Sequence, residues 1–245
     1  QRWVGEQFIS DGTRLAIAEM IRGGTTCFND MYFFPNITAS VARQEGMRAT
    51  VGLIVFDFPS AWGEGPDDYI NKGLDLHDRY RKDDLVSTAF APHAPYTTSD
   101  PALERIRTLA DELDIQIHMH VHETHDEIVG SLEQYGMRPL ERLQRLGLLG
   151  PQLMAVHMTQ LTDDEIALCG ESGLHMIHCV ESNMKLASGR APVEKLRKAG
   201  IIFEPLDNGI ATCADPRRLQ QIEDGLDAER IEEMVANLVV HADRT

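Results

Sequence analysis

The sequence predicts an α/β fold on a parallel sheet, close to a (β/α)8 TIM-like barrel and one strand short of closing it. Three observations carry this. Short apolar or β-branched runs alternate with helical patterns along most of the 245 residues. Strands separated by helices pair in parallel through right-handed crossovers. Polar residues, histidines above all, gather at the carboxyl ends of the runs, where a parallel α/β fold carries its site. A doubly wound open sheet is the alternative; against it, no Gly-rich phosphate loop follows the first strand.

In chain order, residues 13–22 read as helix and Thr25 to Asp30 as strand, then 36–45 as helix and Ala49 to Phe56 as strand. A polar helix over 66–81 precedes the strand Leu85 to Ala91. Pro101 to Leu113 keeps apolar residues at helical spacing (Leu103, Ile106, Leu109, Ala110, Leu113), with Asp100 placed to cap it and Pro101 suited to its first position. Ile115 to His122 reads as strand, 124–146 as mostly helix and Met154 to Met158 as strand. Thr162-Asp163-Asp164-Glu165 has the pattern of a capping box. Leu174 to Val180 and Ile201 to Leu206 are two further strands around a helix at 191–199, which makes seven. A last helix carries Ile231, Met234, Val235, Leu238 and Val239 on one face. No linker or low-complexity stretch divides the chain, so residues 1–245 read as one domain.

A formal net charge of -16 argues against nucleic-acid and anionic-membrane partners, whose phosphates need lysine and arginine. No apolar run reaches the length of a membrane span, and Gln1-Arg2-Trp3-Val4 is no signal peptide. The missing initiator methionine implies that the chain does not begin where its gene does. Cys27, Cys169, Cys179 and Cys213 form no CxxC pair, so a reducing, cytoplasmic setting is expected.

The run Ile117-His118-Met119-His120-Val121-His122-Glu123 is the most informative. Alternation along a strand puts three imidazoles on one face, ending in a carboxylate. Histidine is the commonest ligand of zinc-like metals, and an adjacent glutamate can carry a proton from activated water. The bland reading is a polar strand whose histidines satisfy one another; the clustering favours function. On spacing alone His157 reads equally as a base or a satisfied core residue. His93, between Pro92 and Pro95, lies in a stiffened loop suited to substrate contact. Asp30 ends its strand. For His178 and Cys179 strand packing is the better reading, and His77, His125, His175 and His241 read as surface or packing residues.

Several segments resemble the amidohydrolase superfamily, and within it the 5-methylthioadenosine/S-adenosylhomocysteine deaminases. They are Gly23 to Tyr32, Pro92 to Thr97, His118 to Thr124 and Glu181 to Gly189, and the likeness runs to about Gly200. Triazine hydrolases and guanine deaminases share part of the pattern. The resemblance implies a metal-dependent hydrolase barrel that deaminates adenosine, methylthioadenosine or S-adenosylhomocysteine to inosine-type products and ammonia. It implies Zn2+, or another divalent transition metal such as Fe2+, one per chain where the site is complete. It makes His120 and Asp207 metal ligands and Glu123, His157 and Asp207 catalytic. His93, Arg48 and Glu123 become substrate contacts. The partner would be a small nucleoside; exposed barrel helices often dimerise, which leaves a homo-oligomer open, but the sequence does not fix the oligomeric state.

Two departures from the family pattern stand out. No His-x-His pair precedes residue 25, so the family's first strand and its small β domain are expected to lie outside this sequence. Where the family has Gly-Thr-Asp-Gly, this chain reads Leu206-Asp207-Asn208-Gly209, which leaves Asp207 or Asn208 at the metal position. Residues 216–245 are divergent, acidic and helical. The competing expectations are a catalytically silent barrel fragment that serves as a binding module, or a triazine- or guanine-type hydrolase.

Overall fold

The computed structural model describes residues 4–207 and 210–211, which fall in one compact unit; side chains are described up to Ile202. Asn208 and the 216–245 tail lie outside the described residues.

The elements alternate as expected: α1 (Glu6–Gly23), β1 (Cys27–Asp30), α2 (Pro35–Glu45), β2 (Arg48–Val55), α3 (Pro66–Tyr80), β3 (Val86–Pro92), α4 (Asp100–Leu113), β4 (Ile117–Val121), α5 (His125–Tyr135), α6 (Pro139–Arg145), β5 (Leu153–His157), α7 (Asp163–Ser172), β6 (His175–Cys179), α8 (Val180–Lys185), α9 (Val193–Lys198), β7 (Ile202–Asp207) and β8 (Ile210–Ala211). The sheet order is β1 to β8 without a crossover. The first seven strands are parallel neighbours. The short β8 returns antiparallel to β7 and lies against β1, so the sheet curls back toward its own first strand. This is the α/β architecture of an incomplete TIM-type barrel.

Local chemistry explains the departures from the expected elements. Helix 124–146 is two helices, because Gly136 turns left-handed (φ 69°) to end α5 and Pro139 begins α6. Asp100 does not cap α4. It lies within the first turn, after an N-cap at Ser99, and its carboxylate accepts from Arg142 Nε at 2.7 Å. The Thr162–Glu165 capping box forms as read. α1 starts at Glu6, well ahead of residue 13.

The curl is packed on both sides. Outside, helices bury one face against the strands; α3 sets Tyr69, Ile70, Gly73 and Leu76 on β2, where a Cβ on Gly73 would lie 3.1 Å from Leu53 Cβ. Inside, Ala89, Met154, Val156, Ile177 and Cys179 form a separate small cluster. His118 pairs in register with Met154 and His120 with Val156. Paired residues of parallel strands project from the same face, so these two histidines share the inner face. Among the described residues no helix is long and apolar enough to cross a membrane.

Candidate active site

His93, His120 and His157 come together at the carboxyl ends of β3, β4 and β5, with His118 one same-face position earlier on β4. The His120 ring centroid lies 5.0 Å from that of His93, 6.1 Å from His118 and 5.3 Å from His157, the last pair stacked. The His93 carbonyl accepts both the His120 backbone N–H, at 3.1 Å, and its ring Nδ1, at 2.8 Å. A carbonyl only accepts, so Nδ1 bears the proton and Nε2 keeps its lone pair. Burial holds the His120 pKa well below the usual imidazole range, reinforced by His118, His93 and His157, so the ring is neutral.

His157 ends β5 with a left-handed backbone (φ 77°). Its Nδ1 bonds Asn183 Oδ1 at 2.7 Å, and its Nε2 lies 3.6 Å from Glu123 Oε1. Burial lowers its pKa, while Glu123 and Asn183 raise it. Ser188 Oγ donates to the same Glu123 oxygen at 3.4 Å. Thr159 ties the two loops together, its hydroxyl 2.7 Å from the Glu123 carbonyl and 3.2 Å from that of Ser188. His93 Nδ1 contacts Thr97 Oγ1 at 3.1 Å, burial lowers its pKa, and Phe56 and Tyr96 flank its ring at 5.0 and 6.1 Å. The result is an imidazole facing a carboxyl and an aromatic-walled imidazole on either side of the neutral His120 ring.

His122 does not join them. β4 stops at Val121, and His122 takes φ 55°, which ends the alternation that would have turned it inward. Its fully buried ring accepts the Leu140 N–H at Nε2 (3.1 Å), so Nδ1 donates to the Gln160 carbonyl at 3.2 Å. Burial brings its pKa to about 4. It is a neutral structural residue, and Glu165 pairs instead with Arg138 at 2.7 Å.

Arg48 is not brought to the cluster either. It is the first residue of β2, exposed, and donates to the Thr26 carbonyl at 3.3 Å. The histidines lie at the other end of the sheet, some seven strand residues or roughly 23 Å away along β2. Asp207 is the last residue of β7, at the carboxyl end that also carries His157.

Residues 3–241 match the model of the amidohydrolase family. The chain belongs to that family. Among its relatives, a Saccharophagus degradans protein named 5-methylthioadenosine/S-adenosylhomocysteine deaminase is 54% identical over 196 residues, 80% of this chain and 44% of that protein. A solved adenosine deaminase from Xanthomonas campestris with bound zinc superposes with a TM-score of 0.81 at 54% identity, over 82% of this chain and 46% of the other. A zinc-complexed atrazine chlorohydrolase from Arthrobacter aurescens superposes with a TM-score of 0.77 at 21% identity, over 82% and 49%. That last likeness is one of fold. The chain spans about half the length of the relatives it matches.

Amidohydrolase membership implies a divalent metal, and the described residues meet that need in part. His120 fits as a ligand, because a second bond to Nδ1 fixes the tautomer and orients the ring, as around metal-bound histidines generally. His118 and His178 each keep a buried Nδ1 without a hydrogen-bond partner. Yet among the described residues no group of three His, Cys, Asp or Glu is placed to hold a metal ion. A catalytic zinc takes three protein ligands.

Asn183, Ser188, Thr159 and Glu127 hydrogen-bond to His157 or to Glu123, and the sequence assigns none of them a role. Their partners lie up to 65 residues away, as for Ser188 and Glu123, and no local spacing reveals them. The Ser182–Gly189 block was the one available signal.

Proposed function

We propose that the protein is a metal-dependent aminohydrolase of adenosine-type nucleosides, acting on adenosine, 5-methylthioadenosine or S-adenosylhomocysteine. The observation that carries this is the Glu123 carboxyl facing His157 Nε2 at 3.6 Å, with His157 fixed from behind by Asn183. It occurs in a chain 54% identical to a protein named for that deamination. The triazine reading has weaker support, since the likeness there is 21% identity.

In this reading His120 holds the metal through Nε2, with Asp207 at the end of β7 as a second ligand. The remaining ligands come from outside the described residues. A divalent metal, zinc being the favoured ion, supplies the Lewis acidity that makes water nucleophilic at neutral pH. His157 takes the proton of the attacking water, and Asn183 holds its ring so that Nε2 faces that position. Protonated Glu123 would hand its proton to the purine ring nitrogen as C6 becomes tetrahedral, then take up the proton of the new C6 hydroxyl and pass it to the departing amine. His157 would return its proton to Glu123 across the 3.6 Å gap, with Ser188 steadying the carboxyl. His93 contacts the ribose or base, and Phe56 and Tyr96 give the heterocycle an apolar wall. Arg48 stands too far along β2 to reach the same substrate.

The test is ammonia release from the three nucleosides, with atrazine alongside, by zinc-loaded full-length protein. Turnover of a nucleoside is expected, and Glu123→Gln is expected to lower kcat about 10²–10⁴-fold, the usual worth of a proton-transfer group. Nucleoside binding without turnover after metal loading would identify a silent barrel and sink the proposal.

A further inference from the structure

We propose that Glu127 is a positioning residue for Glu123, its carboxylate clamping two consecutive amides of the turn that carries Glu123. The inference rests on the proton-transfer reading of Glu123. Glu127 is buried on the first turn of α5. Its Oε1 accepts the His122 N–H at 3.0 Å and its Oε2 the Glu123 N–H at 2.7 Å.

Ordinary helix capping does not account for this arrangement. In α7, Glu165 reaches back to the N–H of its own N-cap, Thr162, at 2.8 Å and closes a capping box. In α5, Thr124 performs the N-cap role and accepts the Glu127 N–H at 3.3 Å. The Glu127 carboxylate passes beyond Thr124 to the two residues ahead of the helix. There the chain needs support, because His122 holds φ 55°, a conformation that costs a non-glycine residue on the order of 1–3 kcal/mol. From the opposite side the Thr159 hydroxyl lies 2.7 Å from the Glu123 carbonyl. Glu123 is therefore held at both its N–H and its C=O, which fixes the backbone from which its side chain reaches His157 and Ser188. A site loses rate steeply when a reacting group moves by about an ångström.

Glu127→Gln and Glu127→Asp separate the possibilities in the full-length protein. Glutamine puts an NH2 against an amide N–H, and aspartate keeps the charge but loses the reach. Both are expected to lower kcat about 10²-fold with KM held within about threefold, the signature of a lost transition-state interaction. In crystals of Glu127→Gln the Glu123–His157 separation should exceed that of the parent protein. Thr162→Ala, which removes the α7 cap, should lower Tm and leave kcat unchanged. The clamp is refuted when Glu127→Gln keeps the parent kcat, when Glu127→Asp alone restores it, or when the Glu123–His157 separation does not change. Should the parent protein release no ammonia, the deaminase reading fails, and the crystallographic separation still decides the clamp.

Discussion

Asn183 decides how His157 behaves, because it is the acceptor for the ring's Nδ1 proton, 2.7 Å away and buried. Truncating it strands a buried N–H and frees the ring to turn from Glu123. Asn183→Ala is expected to lower kcat about tenfold or more, since a buried donor left unpaired costs about 1–3 kcal/mol; steady-state kinetics and Tm together check it. Glu127 offers a second test, on stability. Burial pushes its carboxyl up to about 7, against the lowering effect of the His122 and Glu123 amides, while the nearby Glu123 charge raises it further. Below about pH 7 the folded protein thus holds a proton that the unfolded chain releases above its carboxylate pKa of 4.5, and the clamp, which needs both oxygens as acceptors, is complete above that pH. This group's stabilisation is complete below that pKa and is lost as pH rises through about 7, on the order of 3 kcal/mol in all. Urea unfolding at pH 5 and pH 8 should show that loss in the parent and not in Glu127→Gln. Neither residue stood out in the sequence, because a lone Asn or Glu acquires its meaning only from the partner the fold brings to it. His120 and Glu123 stood out because strand alternation and adjacency place them without reference to the rest of the chain.

The elements were more legible than the side chains, and two of the misses share one cause. The strand and helix sequence was readable because alternating apolar runs survive any tertiary context. These two depended on single backbone angles: the left-handed Gly136 that divides 124–146, and the left-handed His122, just past the end of β4, which takes the expected third imidazole off the strand. Such angles are set by what a segment must meet next. Gly52 shows how tight the meeting is. A Cβ there would lie 2.5 Å from the Asp30 carbonyl oxygen and 2.8 Å from Ala91 Cβ, trapped between β1 and β3. The nearer clash is with backbone and cannot be relieved by a rotamer change. Gly52→Ala is therefore expected to destabilise by about 3 kcal/mol, the upper range of overpacking, and to lower Tm clearly in calorimetry.

A barrel-type sheet with one candidate ligand, His120, in its described part is best tested by what a metal does to the whole protein. The His120 ring is neutral, fixed in tautomer and buried beside three other histidines, so a cation has a prepared donor and no proton to displace. The described residues do not complete a three-donor set, and the relatives are about twice as long as the matched part. Metal affinity should therefore belong to the full-length fold and be linked to its stability. A ligand bound to the folded form at about 100 times its Kd adds about 2.7 kcal/mol. Chelation of the full-length protein is expected to lower Tm and stop ammonia release together, and added zinc should restore both. His120→Ala should bind less zinc and lose the Tm response to chelator. On the proposed mechanism Glu123→Gln should be nearly inactive yet keep that response, because there its carboxyl moves protons and holds no metal. A Glu123→Gln protein with no chelator response would instead make Glu123 a ligand, and its 3.6 Å approach to His157 would then describe half of a metal site rather than a proton path.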